Sequence, residues 1–164
     1  MTQLGDFLIK VIADYLVIPI FLIGVWAVLT LPQAVRYQRI GRGVFAGLVA
    51  LWFAKIASLL YQGQRPFVAL GEAPKAAYLA NPGFPSDHVV LVFTITFVVW
   101  AATKNVKVSA LLLALSSLVA IGRILALVHT PLDVAGGIVC ALIAMACVYG
   151  RYFFDRHLPS SQSL

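Results

Sequence analysis

Three short stretches hold most of the polar residues that stand in or against apolar runs. They carry Lys55, Ser58 and Arg65; then Ser86, Asp87 and His88; then Arg123, His129 and Asp133. Two histidines can supply a nucleophile and an acid–base group. Asp133 lies four residues after His129, close enough on a helix to reach that imidazole and fix its tautomer. Arg65 and Arg123 bring two guanidinium forks, which suit phosphate oxygens. Ser86 precedes a long apolar run as a helix N-cap. In HTPLD, Thr130 caps, Pro131 takes the first helical position and Asp133 the third, as in a capping box. Free amides and the positive ends of two helices then favour an anion. Together these groups describe a phosphoryl-transfer site. His88 and His129 with Asp87 and Asp133 could instead ligate a divalent ion, but two arginines aimed at the same cavity would repel it. No metal and no cofactor is expected.

The elements that must position these groups are membrane helices. Of the 164 residues 62% are hydrophobic and only 11% charged, and the mean hydropathy is +0.96. That excludes a water-soluble domain and implies an all-α, polytopic helical bundle. Apolar runs cover 15–31, 43–61, 89–102, 108–121 and 132–149, so about five spans are expected. The third and fourth are short for a lone span; a short helix is tolerated where one end lines a protein-enclosed cavity, and the fourth is expected to continue through Arg123 to Val128. The N-terminal stretch has Asp6 and Asp14, no positive n-region and no small-residue cleavage site, so no cleavable signal is expected. Cys140 and Cys147 lie seven residues apart in one run and cannot pair. One domain over 1–150 and a cytoplasmic tail over 151–164, with His157 in solvent, complete the expected organisation.

Charge sets the orientation. Seven of the 12 basic residues (Arg36, Arg39, Arg42, Lys104, Lys107, Arg151 and Arg156) fall on one side of a five-span chain, with Asp155 as the only acid there. The positive-inside tendency makes that side cytoplasmic. The net charge of +6 is then a topology signal, with no nucleic-acid partner implied. The N-terminus, the 61–88 loop and the 122–131 turn face outward, and the polar clusters gather at the outer end. Within the outer loop, a lid or rim, APKAAYLA is expected to form a short interfacial helix. Lys55 and Asp87 each need a partner in this setting and are expected to share one polar network, with Lys55 reaching Asp87 or the phosphate.

The three stretches resemble the motifs of the PAP2 family, the type 2 phosphatidic acid phosphatases related to vanadium haloperoxidases. Those motifs are K-x6-R-P, P-S-G-H and S-R-x5-H-x3-D; here they read KIASLLYQGQRP, PSDH and GRILALVHTPLD. Lys55 stands ten residues before Arg65 where the family has seven, Asp87 replaces glycine, and Gly122 replaces serine. FPSDH, RPFV and HTPLD look like bacterial undecaprenyl-diphosphate phosphatases of the bacitracin-resistance type. The resemblance implies a PAP2/haloperoxidase-like core in the bacterial plasma membrane. It implies His129 as nucleophile forming a phosphohistidine, Asp133 as its orienting carboxylate and His88 as general acid. Arg65, Arg123, Ser86, Asp87 and Lys55 form the implied substrate-binding set, with no metal. The implied reaction takes undecaprenyl diphosphate to undecaprenyl phosphate at the outer face. Phosphatidate or phosphatidylglycerophosphate is the alternative substrate. A non-catalytic lipid-phosphate binder, and a transporter or channel, are the alternative classes.

Overall fold

The computed structural model describes residues 3–78 and 83–154. The described residues are helical apart from short links, in an all-α bundle. Helix α1 (Gln3–Lys10) runs through a π turn (Val11–Tyr15) into α2 (Val17–Leu29); α3 (Gln33–Leu60), the short α4 (Pro66–Leu70), α5 (Asp87–Thr103), α6 (Val106–Leu125) and α7 (Pro131–Phe154) follow. Four helical segments are long and apolar enough to cross a membrane: 3–29, 33–60, 106–125 and 131–150. The fifth expected span, α5, has 17 residues, about 25 Å against a hydrocarbon core of about 30 Å. It is short because it is enclosed: α2, α3, α6 and α7 all pack on it, and most of its residues are buried. The chain is a multi-pass membrane bundle built around α5.

Packing follows membrane rules. On α3 the buried positions are Ala46, Ala50 and Ala54, spaced one turn apart, while Phe45, Leu48, Trp52 and Leu59 face outward. Lipid is as apolar as leucine, so small residues go inside, where they let backbones approach, and large ones meet the tails. Between α5 and α6 the Thr96 and Ser116 hydroxyls lie 2.9 Å apart, and each also donates to the Val92 carbonyl.

Two differences from the sequence reading concern the end of the bundle that carries the 61–88 loop. The first membrane segment begins at Gln3, well before the expected run at 15–31. Pro19 has no amide to offer the carbonyl of residue 15, and the helix widens ahead of it into the π turn. The stretch from Pro74 to Tyr78 is not helical, and Leu79 and Ala80 lie outside the described residues. Tertiary partners take its amides: Lys75 N–H donates to the Ala126 carbonyl and Ala77 N–H to Asp14 Oδ2. The loop's helix is instead α4, with Pro66 at its first position and Gly71 closing it at φ 67°. At the far end α7 continues to Phe154, and the rest of the expected tail, including His157, lies outside the described residues.

Glycine 137 allows the closest approach between α7 and the start of α5. A β-carbon there would stand 3.0 Å from Val89 Cβ and 3.1 Å from the Ser86 carbonyl oxygen, neither of which can swing aside. Gly137→Val should therefore cost about 1–3 kcal/mol, read as a fall in Tm in detergent. Gly47→Ala, with nothing within 4 Å of the added carbon, should leave Tm unchanged. Equal Tm values for the two variants would show that this approach does not matter.

Candidate active site

Arg65, Ser86, Asp87, His88, Arg123, His129 and Asp133 come to one end of the bundle, while Lys55, near the end of α3, is on that helix's exposed face. Ser86 ends an extended segment and α5 starts at Asp87; Arg123 sits in the last turn of α6. His129 lies in the turn between α6 and α7, and Asp133 in the first turn of α7. Arg65 immediately precedes α4. Arg65, Ser86, Arg123, His129 and Asp133 are buried; His88 is half-buried and Asp87 exposed. The charges interact across the cluster, Arg65 with Asp133 and Asp87, and Arg123 with Arg65, His88 and His129.

Local sequence explains much of this arrangement. The capping box forms in full: Thr130 N–H donates to Asp133 Oδ2 at 2.7 Å, and Asp133 N–H to Thr130 Oγ1 at 3.1 Å. The same Oδ2 lies 3.5 Å from His129 Nδ1. Asp133 thus holds the helix start and stands beside the imidazole, whose buried Nδ1 makes no hydrogen bond among the described residues. The second and third stretches are tied directly by Ser86 N–H donating to the Asp133 carbonyl at 3.1 Å. The turn itself, with Leu127 at φ 61°, points three consecutive carbonyls at the 65–75 stretch. They accept from Lys75 N–H, Phe67 N–H and, at 2.8 Å, Arg65 Nη1. Arg65 also lies over the Tyr78 ring, 5.5 Å from its centroid. Burial holds the His129 imidazole below its ordinary histidine value against the pull of Asp133, which keeps it neutral and nucleophilic near neutral pH.

Ser86 takes the expected N-cap position, but its side chain makes no cap bond. Its hydroxyl is buried without a partner, as is Arg123 Nε. Buried donors left unpaired cost about 1–3 kcal/mol each. Two of them beside a neutral histidine make a site that an anion completes. Lys55 is on the exposed face of α3. Ser58, one turn on, donates to its carbonyl oxygen, and among the described residues no ion pair within 4.0 Å joins Lys55 to Asp87.

One residue escaped the sequence reading. Asp14, in the π turn, accepts from Arg123 Nη1 at 2.7 Å. The sequence carries a signal for it: a carboxylate in a membrane segment needs a partner, and the first segment, which begins at Gln3, takes Asp14 inside it.

The bare Ser86 hydroxyl yields a sharp expectation. An N-cap serine replaced by alanine ordinarily costs about 1 kcal/mol. Ser86→Ala should leave Tm nearly unchanged, and should slow turnover of a phosphate substrate by about 10–100-fold if the hydroxyl serves a charged ligand. A clear fall in Tm with unaltered turnover would return Ser86 to a capping role.

Comparison with known proteins gives the family. Over 107 residues the chain is 36% identical to the protein named bacitracin transport permease protein BcrC of Bacillus licheniformis, covering 65% of this chain and 52% of that one. Over 97 residues it is 31% identical to the putative undecaprenyl-diphosphatase YbjG of Escherichia coli (strain K12), covering 58% and 48%. The chain thus spans about half the length of the curated relatives it matches. No solved structure matches it. Residues 42–160, which hold all three stretches, match the model of the PAP2 superfamily, and the chain belongs to that family.

Proposed function

We propose that the chain is a membrane lipid phosphatase that hydrolyses undecaprenyl diphosphate to undecaprenyl phosphate and inorganic phosphate at the outer face of the bacterial plasma membrane. The observation that carries this reading is the set of unpaired buried donors, Ser86 Oγ and Arg123 Nε, beside the His129–Asp133 pair. The diphosphate is favoured by the likeness to a relative named for it.

Asp133 faces Nδ1, so Nδ1 carries the proton and Nε2 presents the lone pair. Nε2 attacks the terminal phosphorus, the N–P bond forms and the bond to the bridging oxygen breaks. His88 gives its proton to that oxygen as undecaprenyl phosphate leaves. His88 then takes a proton from water, the hydroxide displaces His129 from phosphorus, and inorganic phosphate departs. Arg65, Arg123 and Ser86 hold the phosphoryl oxygens where charge grows. This chemistry needs no metal. A lipid tail has a place below the headgroup. A cavity of about 360 Å³ between α2, α3 and α5, lined by Gly24, Gly43, Gly47, Val90 and Leu91 among others, begins within a turn of His88.

Phosphate release from undecaprenyl diphosphate in detergent, with and without EDTA, tests the reading. EDTA should leave the rate unchanged. His129→Ala should abolish turnover without unfolding the protein, and His88→Ala should slow it by about 10²–10⁴-fold. Full turnover in His129→Ala would refute the phosphohistidine. Faster turnover of phosphatidate would move the substrate, and lipid binding without hydrolysis would make the chain a binder.

The outward site follows from charge. Arg36, Arg39 and Arg42 open α3, and Lys104 and Lys107 lie where α5 meets α6, all at the end away from the site. In a Cys147→Ser background, single cysteines at the exposed positions Ala73 and Asn105 should label from opposite sides of intact cells, with 73 accessible from outside. Labelling of 105 alone from outside would reverse the orientation.

A further inference from the structure

Arg123 is only 2% exposed, and both terminal nitrogens are held by groups outside the three motifs. Nη1 donates to Asp14 Oδ1 at 2.7 Å, and Nη2 donates to the Ala77 carbonyl at 2.9 Å. Ala77 N–H in turn donates to Asp14 Oδ2 at 2.9 Å. Three hydrogen bonds thus close a ring through the first membrane segment, the outer loop and α6. A planar guanidinium gripped at both terminal nitrogens cannot rotate. The edge left over is Nε, buried and without a partner.

The delivery of Asp14 depends on a close helix contact. Ala13, its neighbour in the π turn, is fully buried. A β-carbon on Gly122 would stand 2.8 Å from Ile12 Cγ2, 3.1 Å from Ala13 N and 3.2 Å from Ala13 Cα. Two of those three atoms are backbone and cannot move out of the way. Gly122 replaces the serine of the family motif, and it makes room for the segment that carries Asp14. Asp14 itself lies outside the matched span of 42–160.

We propose that Asp14 is a positioning residue for Arg123, brought to it by the approach that Gly122 permits, and that it aims the Nε edge at the phosphoryl group. This rests on the phosphatase reading. The carboxylate fixes the guanidinium before substrate arrives and offsets the cost of its buried charge. Without it Arg123 keeps one anchor, Ala77, and the anion must organise the donor as it binds. An ion pair that only braces the fold would lower stability and leave the catalysis of folded protein alone.

The test uses the full chain in detergent. It reads kcat/KM for undecaprenyl diphosphate and the rise in Tm caused by orthovanadate, a phosphate mimic that needs no lipid. Asp14→Ala should lower kcat/KM by about 10–100-fold and shrink the vanadate shift. Asp14→Asn keeps an acceptor oxygen, so it should lose less; if Asp14→Ala does not fold, Asp14→Asn carries the comparison. Gly122→Ala should reproduce the Asp14→Ala loss. In an Arg123→Ala background, Asp14→Ala should have no further effect on kcat/KM, as expected of coupled neighbours. Asp6→Asn, which removes a half-buried pair with Lys75 at 3.1 Å that does not touch Arg123, should leave kcat/KM and the vanadate shift unchanged. The proposal is overturned if Asp14→Ala leaves both readouts of folded protein within about twofold of wild type, or if its loss persists in full without Arg123. A wild-type chain that shifts with vanadate but releases no phosphate counts against the phosphatase reading alone, and the shift still decides the role of Asp14. No turnover and no shift in wild type overturns both.

Discussion

The starts of α5 and α7 meet at one point, joined by the hydrogen bond from Ser86 N–H to the Asp133 carbonyl. Residues 86–88 and 129–133 come from separate membrane helices, and this contact gives them a common frame. It draws two positive helix ends together, which makes the region attractive to anions before any side chain is counted. It also places severe limits on volume, met by Gly137 beneath the Ser86 carbonyl. The arginines, the imidazole and the outer loop are arranged around this junction. Arg65 hangs from the Val128 carbonyl, and the loop is pinned along the same turn.

The bilayer explains why the charges can be gathered so tightly. Inside lipid an ionised side chain must be paired or placed at a wet end, so the low overall charge concentrates the remaining ions into one network. Asp14, Arg65 and Arg123 each have a partner that another segment supplies, and Asp133 has His129 and Thr130 in its own turn. Deeper in the bundle α5 and α6 share the hydroxyls of Thr96 and Ser116, and the small residues Ala46, Ala50 and Ala54 line the inside of α3.

What could be read from the sequence was local or long. Apolar runs report membrane helices because some 20 residues act together. The HTPLD capping box was legible because its donors and acceptors are three residues apart. Failures came where a distant partner decided. Helix at 73–80 was a sound local reading, overridden when Asp14 and Ala126 took the amides of Ala77 and Lys75. Asp14 carried the signal of a carboxylate beside an apolar run, but its partner, 109 residues away, could not be named from it. Ser86 showed the opposite pattern: the cap position was right, yet its hydroxyl was left free of the cap bond. For Lys55, spacing in the sequence does not say which way α3 turns; the helix presents it on its exposed face.

The enclosure of α5 bears on how the protein is made. A helix of 17 residues that begins with Asp87 and His88 is a weak candidate for insertion by the translocon as a lone segment, because ionisable groups carry a penalty in apolar surroundings. Only Lys104 and Asn105 separate it from α6, so a helical hairpin is its natural route into the bilayer, with α6, which has the length of a lone span, carrying its partner. Helices α2, α3 and α7 then close over it. Assembly of the polar end is in that order a late event of biogenesis, completed only when α7 has emerged from the ribosome.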